Sequence, residues 1–381
     1  MRLSLGWVLG VLLVGRAWAQ GVPPAEPVAP GGATNPPRSE SAGPTGITGA
    51  TTATPTGAAT AGEAITPPVS LSPPASVVSP PATATPPSAS PGTPATSGSE
   101  PKAEPPRVER PAPYSLPFGL RPIIPVTVLR LDSVVATYRS NDNLGVTTTI
   151  LPLVGYRFSP HFMGIARWGL IGNAAPDGSA GVSVPNVALG GIWGLKLPAN
   201  LRLGFFLGAT VPLGTGGAKA TDPLTTAATA AGLYSRSAMD NAMFAVNDFT
   251  LFPGVDFAYV GHGLTVQIEA TLLQLLRVKN EATQTDAFRT NFTAGLHTGF
   301  FVTRWLTLTA ELRYQRWLST PDAVAADETL RDNLSLAVGP RFHVKWGRGF
   351  LRPGIAYNAG LAGRLSSNSY HMVLIDIPYV M

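Results

Sequence analysis

The chain has 381 residues, with 41 Gly, 38 Pro and no cysteine, and only 13% of its residues are charged. Absence of cysteine excludes disulfides, thiolate metal sites and a lipidated cysteine. A net charge of +5 without a basic run or an aromatic platform excludes a nucleic-acid binder.

In chain order, the first predicted element is a signal peptide at 1–19. Met1-Arg2 supplies a positive start, Leu3 to Val14 an apolar stretch, and Ala17-Trp18-Ala19 a small-residue cleavage site before Gln20. The apolar stretch is short of the ~20 residues a spanning helix needs. No later run reaches that length. Residues 20–117 are Pro, Ala, Thr, Ser and Gly, hold 24 of the 38 prolines, and have no aromatic before Tyr114. Too little apolar surface is available there to offset the entropy of ordering, so this segment is expected to be a disordered linker of polyproline II character. Fully extended at ~3.1 Å per residue it would reach about 300 Å, enough to act as a periplasmic tether. The two readings, solvated linker and tether to peptidoglycan or a periplasmic protein, are both open at this point.

Residues 118–381 read differently, because period-2 alternation dominates. In Leu306 to Trp317 one parity is Leu306, Leu308, Ala310, Leu312 and Tyr314, and the other is Thr307, Thr309, Glu311, Arg313 and Gln315. That is a strand with one apolar and one polar face. Twelve such strands are predicted, at 123–138, 146–158, 162–171, 182–197, 201–213, 248–260, 264–276, 288–301, 306–317, 333–346, 350–361 and 370–381. Their connections alternate in length. The short ones are Ser159–His161, Pro198–Asn200, Gly261-His262, Val302–Trp305 and Gly347–Gly349, and the long ones are 139–145, 172–181, 214–247, 277–287, 318–332 and 362–369. An even-stranded antiparallel transmembrane β-barrel has this rhythm, with short periplasmic turns and long outer loops. A soluble β-sandwich shares the alternation but not the glycine-rich polar parity, nor the aromatics gathered near strand ends, such as Tyr156, Phe158, Tyr259, Trp346 and Tyr379. The expected fold is therefore all-β, a 12-stranded barrel preceded by a disordered Pro/Ala/Thr-rich segment. Its last strand, with Val373, Ile375, Ile377 and Tyr379 outward and Asp376 inward, should pair with the first near Val126 to Thr137 so that no edge is left in the bilayer. Pro253, Pro340 and Pro353 fall inside predicted strands and call for bulges or shifted strand ends.

The signal peptide, alternating strands and long-short loops together resemble Gram-negative outer-membrane β-barrels over 118–381. The stretch LRLGFFLGATVPLGTGG, Leu201 to Gly217, is similar to the strand ending in Pro-x-Gly of the phenol-degradation meta-pathway outer-membrane family, whose members are regarded as transporters. The chain departs from that pattern in its long Pro-rich segment, and in Met381 where outer-membrane barrels commonly carry an aromatic. The resemblance implies an outer-membrane location and passage of small solutes.

If the apolar parity faces lipid, the lumen is lined by Arg130, Asp132, Arg167, Asp256, Gln267, Glu269, Arg289, Asn291, His297, Glu311, Arg313, Gln315, Arg341 and His343. Twelve strands lie between a filled eight-stranded barrel and an open porin, so a narrow or plugged passage is expected. At the turn end, Lys196 should face Arg202, and Lys345 should lie near Arg352, with Arg157 at the same level. This is either a solvated rim or a cationic vestibule for anionic solutes or for carboxylates of the linker. The loop 214–247 is too long for a bare connection. Asp222-Pro223 is a helix start, and Ala238, Ala242, Met243 and Val246 have helical spacing. One or two short helices should either cap the outer mouth or enter the lumen.

Catalysis has little support. His371 lies near Ser366, Ser367 and Ser369, a cluster conceivable as a lipid hydrolase but far more often an ordinary loop. No metal, cofactor, phosphate-loop or paired-carboxylate pattern occurs. Three readings follow: a porin- or transporter-like channel with lipid bilayer and small solutes as partners, a structural envelope anchor for the tether, and, far behind, the hydrolase.

Overall fold

The computed structural model describes residues 114–140, 142–217, 222–280 and 282–381. The predicted signal peptide and the linker up to 113 lie outside the described residues. Alternation drives the local structure. Twelve barrel strands form: β1 (Val128–Ser140), β2 (Asn143–Arg157), β3 (Phe162–Arg167 with Leu170–Ala174), β4 (Ala180–Ser183 with Val187–Lys196), β5 (Leu201–Val211) and β6 (Asp248–Gly261). They continue as β7 (Leu264–Arg277), β8 (Phe288–Thr303), β9 (Leu306–Trp317), β10 (Asp332–Phe342 with Val344–Trp346), β11 (Gly349–Leu351 with Gly354–Ala362) and β12 (His371–Val380). Each pairs antiparallel with its sequence neighbour. The sheet closes through β1 and β12, from Val128 opposite Val380 to Thr137 opposite His371. Closure satisfies both edges, which an open sheet would leave unpaired.

All five short turns and both ends of the barrel chain lie at one end, here the turn end. The tightest, His262-Gly263, has φ of 52° and 76°, the left-handed pair a two-residue hairpin demands, and glycine meets it without strain. At the loop end the first connection is shorter than expected. β1 runs to Ser140 and β2 starts at Asn143, joined through Asp142 at φ 65°. The ladder gains Arg139-Ser140 on β1 and Asn143–Gly145 on β2 beyond the expected strand ends.

The strand prolines are accommodated without the expected bulges. Pro253 and Pro340 keep register with Leu207 and Leu308, and the ladder on their other side resumes in the same register beyond them. Pro353 falls in the break between the two pieces of β11. A proline lacks only one donor, so a missing rung suffices. The register shifts occur instead at Phe301/Thr303 and Leu334/Ser335.

The long connection between β5 and β6 carries α1 (Pro223–Ser235) and α2 (Asn241–Phe244). Asp222 caps α1 by accepting from the Leu224 amide at 2.9 Å, and Pro223 opens the helix where its missing N–H is harmless. Three single-turn helices decorate other loop-end connections: α3 (Gln284–Ala287), α4 (Asp322–Ala326) and α5 (Arg364–Ser367).

Burial is inverted relative to a water-soluble domain. Outward positions of β12 are Val373, Ile375 and Ile377, each about 40% exposed, while inward Asp376 is 2% exposed. The same holds around the barrel: Leu308, Leu312, Val338, Ile355 and Phe257 are exposed, and Glu311, Arg313, Arg341 and Asp256 are buried. Exposed aromatics ring the turn end, among them Tyr156, Phe158, Phe162, Trp193, Trp305 and Trp346.

Candidate functional site

The inward parity of the strands places charged side chains inside the barrel, and two segments outside the ladder enter to meet them. From the turn end comes Tyr114–Arg121, the residues just ahead of β1. From the loop end comes the α1–α2 excursion. The sequence boundary at 117/118 thus cuts through a continuous strap: Tyr114, Ser115, Leu116, Phe118, Leu120 and Ile123 are all buried.

The strap bends at Phe118–Leu120 and pairs with no strand. Side chains of the wall meet its main chain. Glu311 on β9 accepts from the amides of Phe118 and of Gly119 (2.9 Å). On β7, Glu269 accepts from the Arg121 amide at 2.7 Å and the Thr265 hydroxyl from the Ser115 amide at 3.0 Å. The strap carbonyls are met by cations and an amide. Arg352 donates to Tyr114 O at 3.2 Å, Arg341 to Pro117 O at 3.1 Å, Arg130 to Phe118 O, and Gln267 Nε2 to Arg121 O at 2.7 Å. The Tyr114 hydroxyl donates to Gln267 Oε1 at 2.9 Å and accepts from the Ile123 amide at 3.3 Å. Burial pushes this hydroxyl's pKa up, so it stays a donor. Arg341 also lies over the Phe118 ring, 4.5 Å from its centroid.

The strap's own Arg121 inserts between Asp256 (3.3 Å) and Glu269 (3.4 Å) and over the Phe206 ring (4.3 Å). Opposite, Asp132 and Asp376 are ladder partners on β1 and β12, like charges placed face to face. Arg130 resolves the repulsion by reaching both, at 2.5 and 2.9 Å, and Arg341 pairs with Asp376 as well.

The α1–α2 excursion reaches the same network. Arg236 and Asp240 pair at 2.9 Å, Arg167 joins Asp240 (2.9 Å) to Asp132 (2.7 Å), and Arg236 lies 3.9 Å from Asp132. Burial pushes the Asp240 carboxyl up, but Arg167 and Arg236 outweigh it and hold it below the usual range. Ser237 accepts from Asn358 at 2.7 Å, and Tyr234 and Tyr138 flank Tyr370 at 5.8 and 5.2 Å. Of the two placements left open for this loop, α2 and the C-terminal half of α1 are inside, while Asp222–Leu224 stay exposed at the loop end. Between strap and excursion lies a cavity of about 100 Å³, lined by Arg121, Asp132, Arg167, Asp240, Glu269 and Phe206 among others. That is room for a few waters.

The fourteen lumen candidates divide by task. Arg130, Asp256, Glu269, Glu311, Arg341 and Gln267 hold the strap directly, and Asp132, Arg167 and Arg313 hold the residues that do so or the excursion. His297 lies against Glu311 at 3.4 Å. Arg289 pairs with Asp248 near the loop end. Asn291 and Gln315 are buried near that end, Asn291 paired with Trp317 and Gln315 with Thr293 across β8 and β9. His343 lies at the turn end, bonded to Thr307 (2.6 Å) and packed on Phe301 (4.7 Å).

The five vestibule candidates do not form one ring. Lys196 and Arg202 are ladder partners. Lys345 pairs with Phe350 rather than lying beside Arg352, because the break at Pro353 lets Arg352 turn inward to the strap. Arg157, Lys196 and Lys345 are exposed. His371 meets the Tyr357 hydroxyl at 2.5 Å, on the outward face.

What sequence reading missed is the strap. Its signals were Tyr114, the first aromatic after the linker, and the glycines of the polar parity, several of which stand opposite strap side chains.

No family model matches the chain, and no curated protein matches it. Among solved structures, an outer membrane channel from Pseudomonas putida F1 aligns at 12% identity over 69% of this chain and 98% of that one, with a TM-score of 0.48. The NanC porin aligns at 8% identity over 66% and 100%, TM-score 0.42. The KdgM porin, solved with oligogalacturonate, aligns at 10% over 67% and 99%, TM-score 0.38. The barrel assignment for this chain rests on its own closed ladder.

Proposed function

We propose that this chain is an outer-membrane β-barrel of the Gram-negative type through which small solutes pass, held shut at rest by the strap and the α1–α2 excursion. The observation that carries the reading is the inverted burial: an apolar outer wall around a charged interior suits a lipid surround and an aqueous bore. The strand-end aromatics fit an interfacial girdle. The resemblance of Leu201–Gly217 to the meta-pathway transporter family supports the transport half, and the reading is non-catalytic. The Pro-rich segment then belongs in the periplasm, on the side of the turn end.

The test has two stages. Detergent-extracted protein should show heat-modifiable gel mobility, which a soluble sandwich would not. In planar bilayers the intact protein should show small or rare conductance steps, and a variant lacking 223–244 larger ones. A barrel that stays silent in both forms, and again when residues 114–121 are deleted along with 223–244, removes the passage reading. One observation favours a second role. A lumen so fully occupied also suits an anchor, with the barrel fixing a Pro-rich tether to peptidoglycan or a periplasmic partner. Envelope defects on deleting 20–113, with no conductance in any variant, would mark that role.

A further inference from the structure

The strap behaves as a bound peptide, not as part of the barrel. The ladder closes through β1 and β12 without it. Four of its amides (Ser115, Phe118, Gly119, Arg121) and four of its carbonyls (Tyr114, Pro117, Phe118, Arg121) are met by wall side chains. Buried main chain ordinarily pairs with other main chain, so a wall that spends charged side chains on this task is recognising a peptide backbone. The polarity is ordered. Every one of these amides faces β7 or β9, while three of the four carbonyls face arginines on β1, β10 and β11. The segment therefore fits in one direction only.

A second observation is independent of the hydrogen bonds. Wall glycines stand where strap side chains lie. A Cβ at Gly354 would come within 2.6 Å of the Phe118 ring, and at Gly254 within 2.7 Å of the Arg121 guanidinium. Gly295 faces Leu120 and Gly299 faces Ser115 in the same way. Alternate strap residues Leu116, Phe118 and Leu120 are each no more than 2% exposed. Wall and strap are complementary in both shape and charge.

We propose that the inner wall around Glu269, Glu311, Arg130, Arg341 and Arg352 is a binding site for a polypeptide segment, filled here by the chain's own Tyr114–Arg121 and able to take the same segment as a separate peptide. Joined to the barrel, the strap enjoys a high effective concentration and stays home. That its departure opens the bore rests on the passage reading above; the binding itself does not.

The experiment uses full-length protein with a protease site inserted between Val126 and Thr127 and cleaved after folding. The cut N-terminal fragment should remain with the barrel through gel filtration. It should exchange with a fluorescein-labelled peptide of residues 114–126, and unlabelled peptide should compete. Glu311→Gln should shorten retention of the fragment and weaken peptide binding at least tenfold, whereas Arg304→Gln, at an exposed turn, should change neither. The proposal is overturned if the fragment leaves at once and the peptide binds no better than a scrambled one. It is equally overturned if Glu311→Gln leaves retention and binding unchanged. Conductance is recorded in parallel on cut protein that also lacks 223–244, so that neither barrier remains. Peptide binding without any conductance after fragment removal sinks the passage reading and leaves the site standing; conductance without peptide binding does the reverse.

Discussion

Glu311 gives the sharpest test of how the lumen is held. It is fully buried and accepts two strap amides, those of Phe118 and Gly119, while pairing with Arg313 at 2.7 Å. A charge-assisted hydrogen bond contributes roughly 1.5–3 kcal/mol and a neutral one roughly 0.5–1.5 kcal/mol. Glu311→Gln keeps one neutral acceptor and turns an NH2 toward the other amide, so it should remove roughly 2–4 kcal/mol from strap docking. At about 1.36 kcal/mol per decade this raises the undocked population about 30- to 900-fold. Because the chain has no cysteine, Ser115→Cys supplies a single thiol. Ser115 is fully buried and its hydroxyl oxygen has no hydrogen-bond partner, so the exchange is nearly silent. Where docking is fast relative to labelling, the maleimide rate follows the undocked population. Glu311→Gln in the Ser115→Cys background should label about 30-fold faster or more. Arg313→Gln, which leaves the acceptor carboxylate in place, should label less fast than Glu311→Gln. A Glu311→Gln rate equal to the parent, in protein that keeps its heat-modifiable mobility, would refute the role given to this carboxylate.

Gly295→Leu fills the space that Leu120 occupies, and should raise labelling of Ser115→Cys without altering barrel mobility; a bulky residue accepted there with no change in rate would mean the wall is not shaped to the strap. Asp222→Ala removes the α1 cap, which contributes about 1 kcal/mol, so amide exchange in 223–235 should rise about fivefold by mass spectrometry. Acid should loosen the α1–α2 excursion. Asp240, faced by Arg167, Arg236 and Asp132, has its folded pKa held below the unfolded value of about 3.9. Its contribution is therefore complete above about pH 4 and lost as pH falls through the lower folded value. Exchange at 236–244 should increase only on acidification past that point, and Asp240→Asn should already show the increase at neutral pH; a change centred near pH 6 would contradict the assignment.

The strands were legible because one rule governs them: residues two apart share a face, and a bilayer demands that the outer face be apolar throughout. Leu306–Trp317 and Val373–Ile377 carry that signal undiluted, and the observed β9 and β12 match it closely. Asp222-Pro223 announced α1 through capping chemistry, which is local. The placement of α1 and α2 inside was not legible. It depends on Arg236 and Asp240 finding Arg167 and Asp132, more than a hundred residues away in one case and about seventy in the other. The strap was hidden for a different reason. Tyr114–Arg121 alternates over one short stretch, with Tyr114, Leu116, Phe118 and Leu120 on one parity, but its main chain is satisfied by side chains from β1, β7, β9, β10 and β11 rather than by a ladder, and sequence patterns describe only what neighbours in the chain share. The glycines in the polar parity were visible, yet a missing side chain does not say what occupies its room.

The charges of the lumen indicate which of the two inner segments leaves more easily. Arg236 and Asp240 belong to the excursion and pair with each other at 2.9 Å. Withdrawn together they leave as a neutral couple, and the wall keeps Asp132 joined to Arg167 (2.7 Å) and Arg130 (2.5 Å). The strap carries the single cation Arg121, which stands between Asp256 and Glu269. Its withdrawal strips both carboxylates of that partner while also leaving Arg341 and Arg352 without the carbonyls of Pro117 and Tyr114. Removing one member of a buried ion cluster is strongly unfavourable because the remaining charges stay desolvated, whereas removing a matched pair is not. Water must therefore reach Asp256 and Glu269 before the strap can go. The cavity beside Arg121 and Glu269 is bounded on its other side by Met239, Asp240 and Met243 of the excursion. On the passage reading, retreat of the excursion would admit that water, so opening would proceed from the loop end inward, with the strap the later of the two barriers to move.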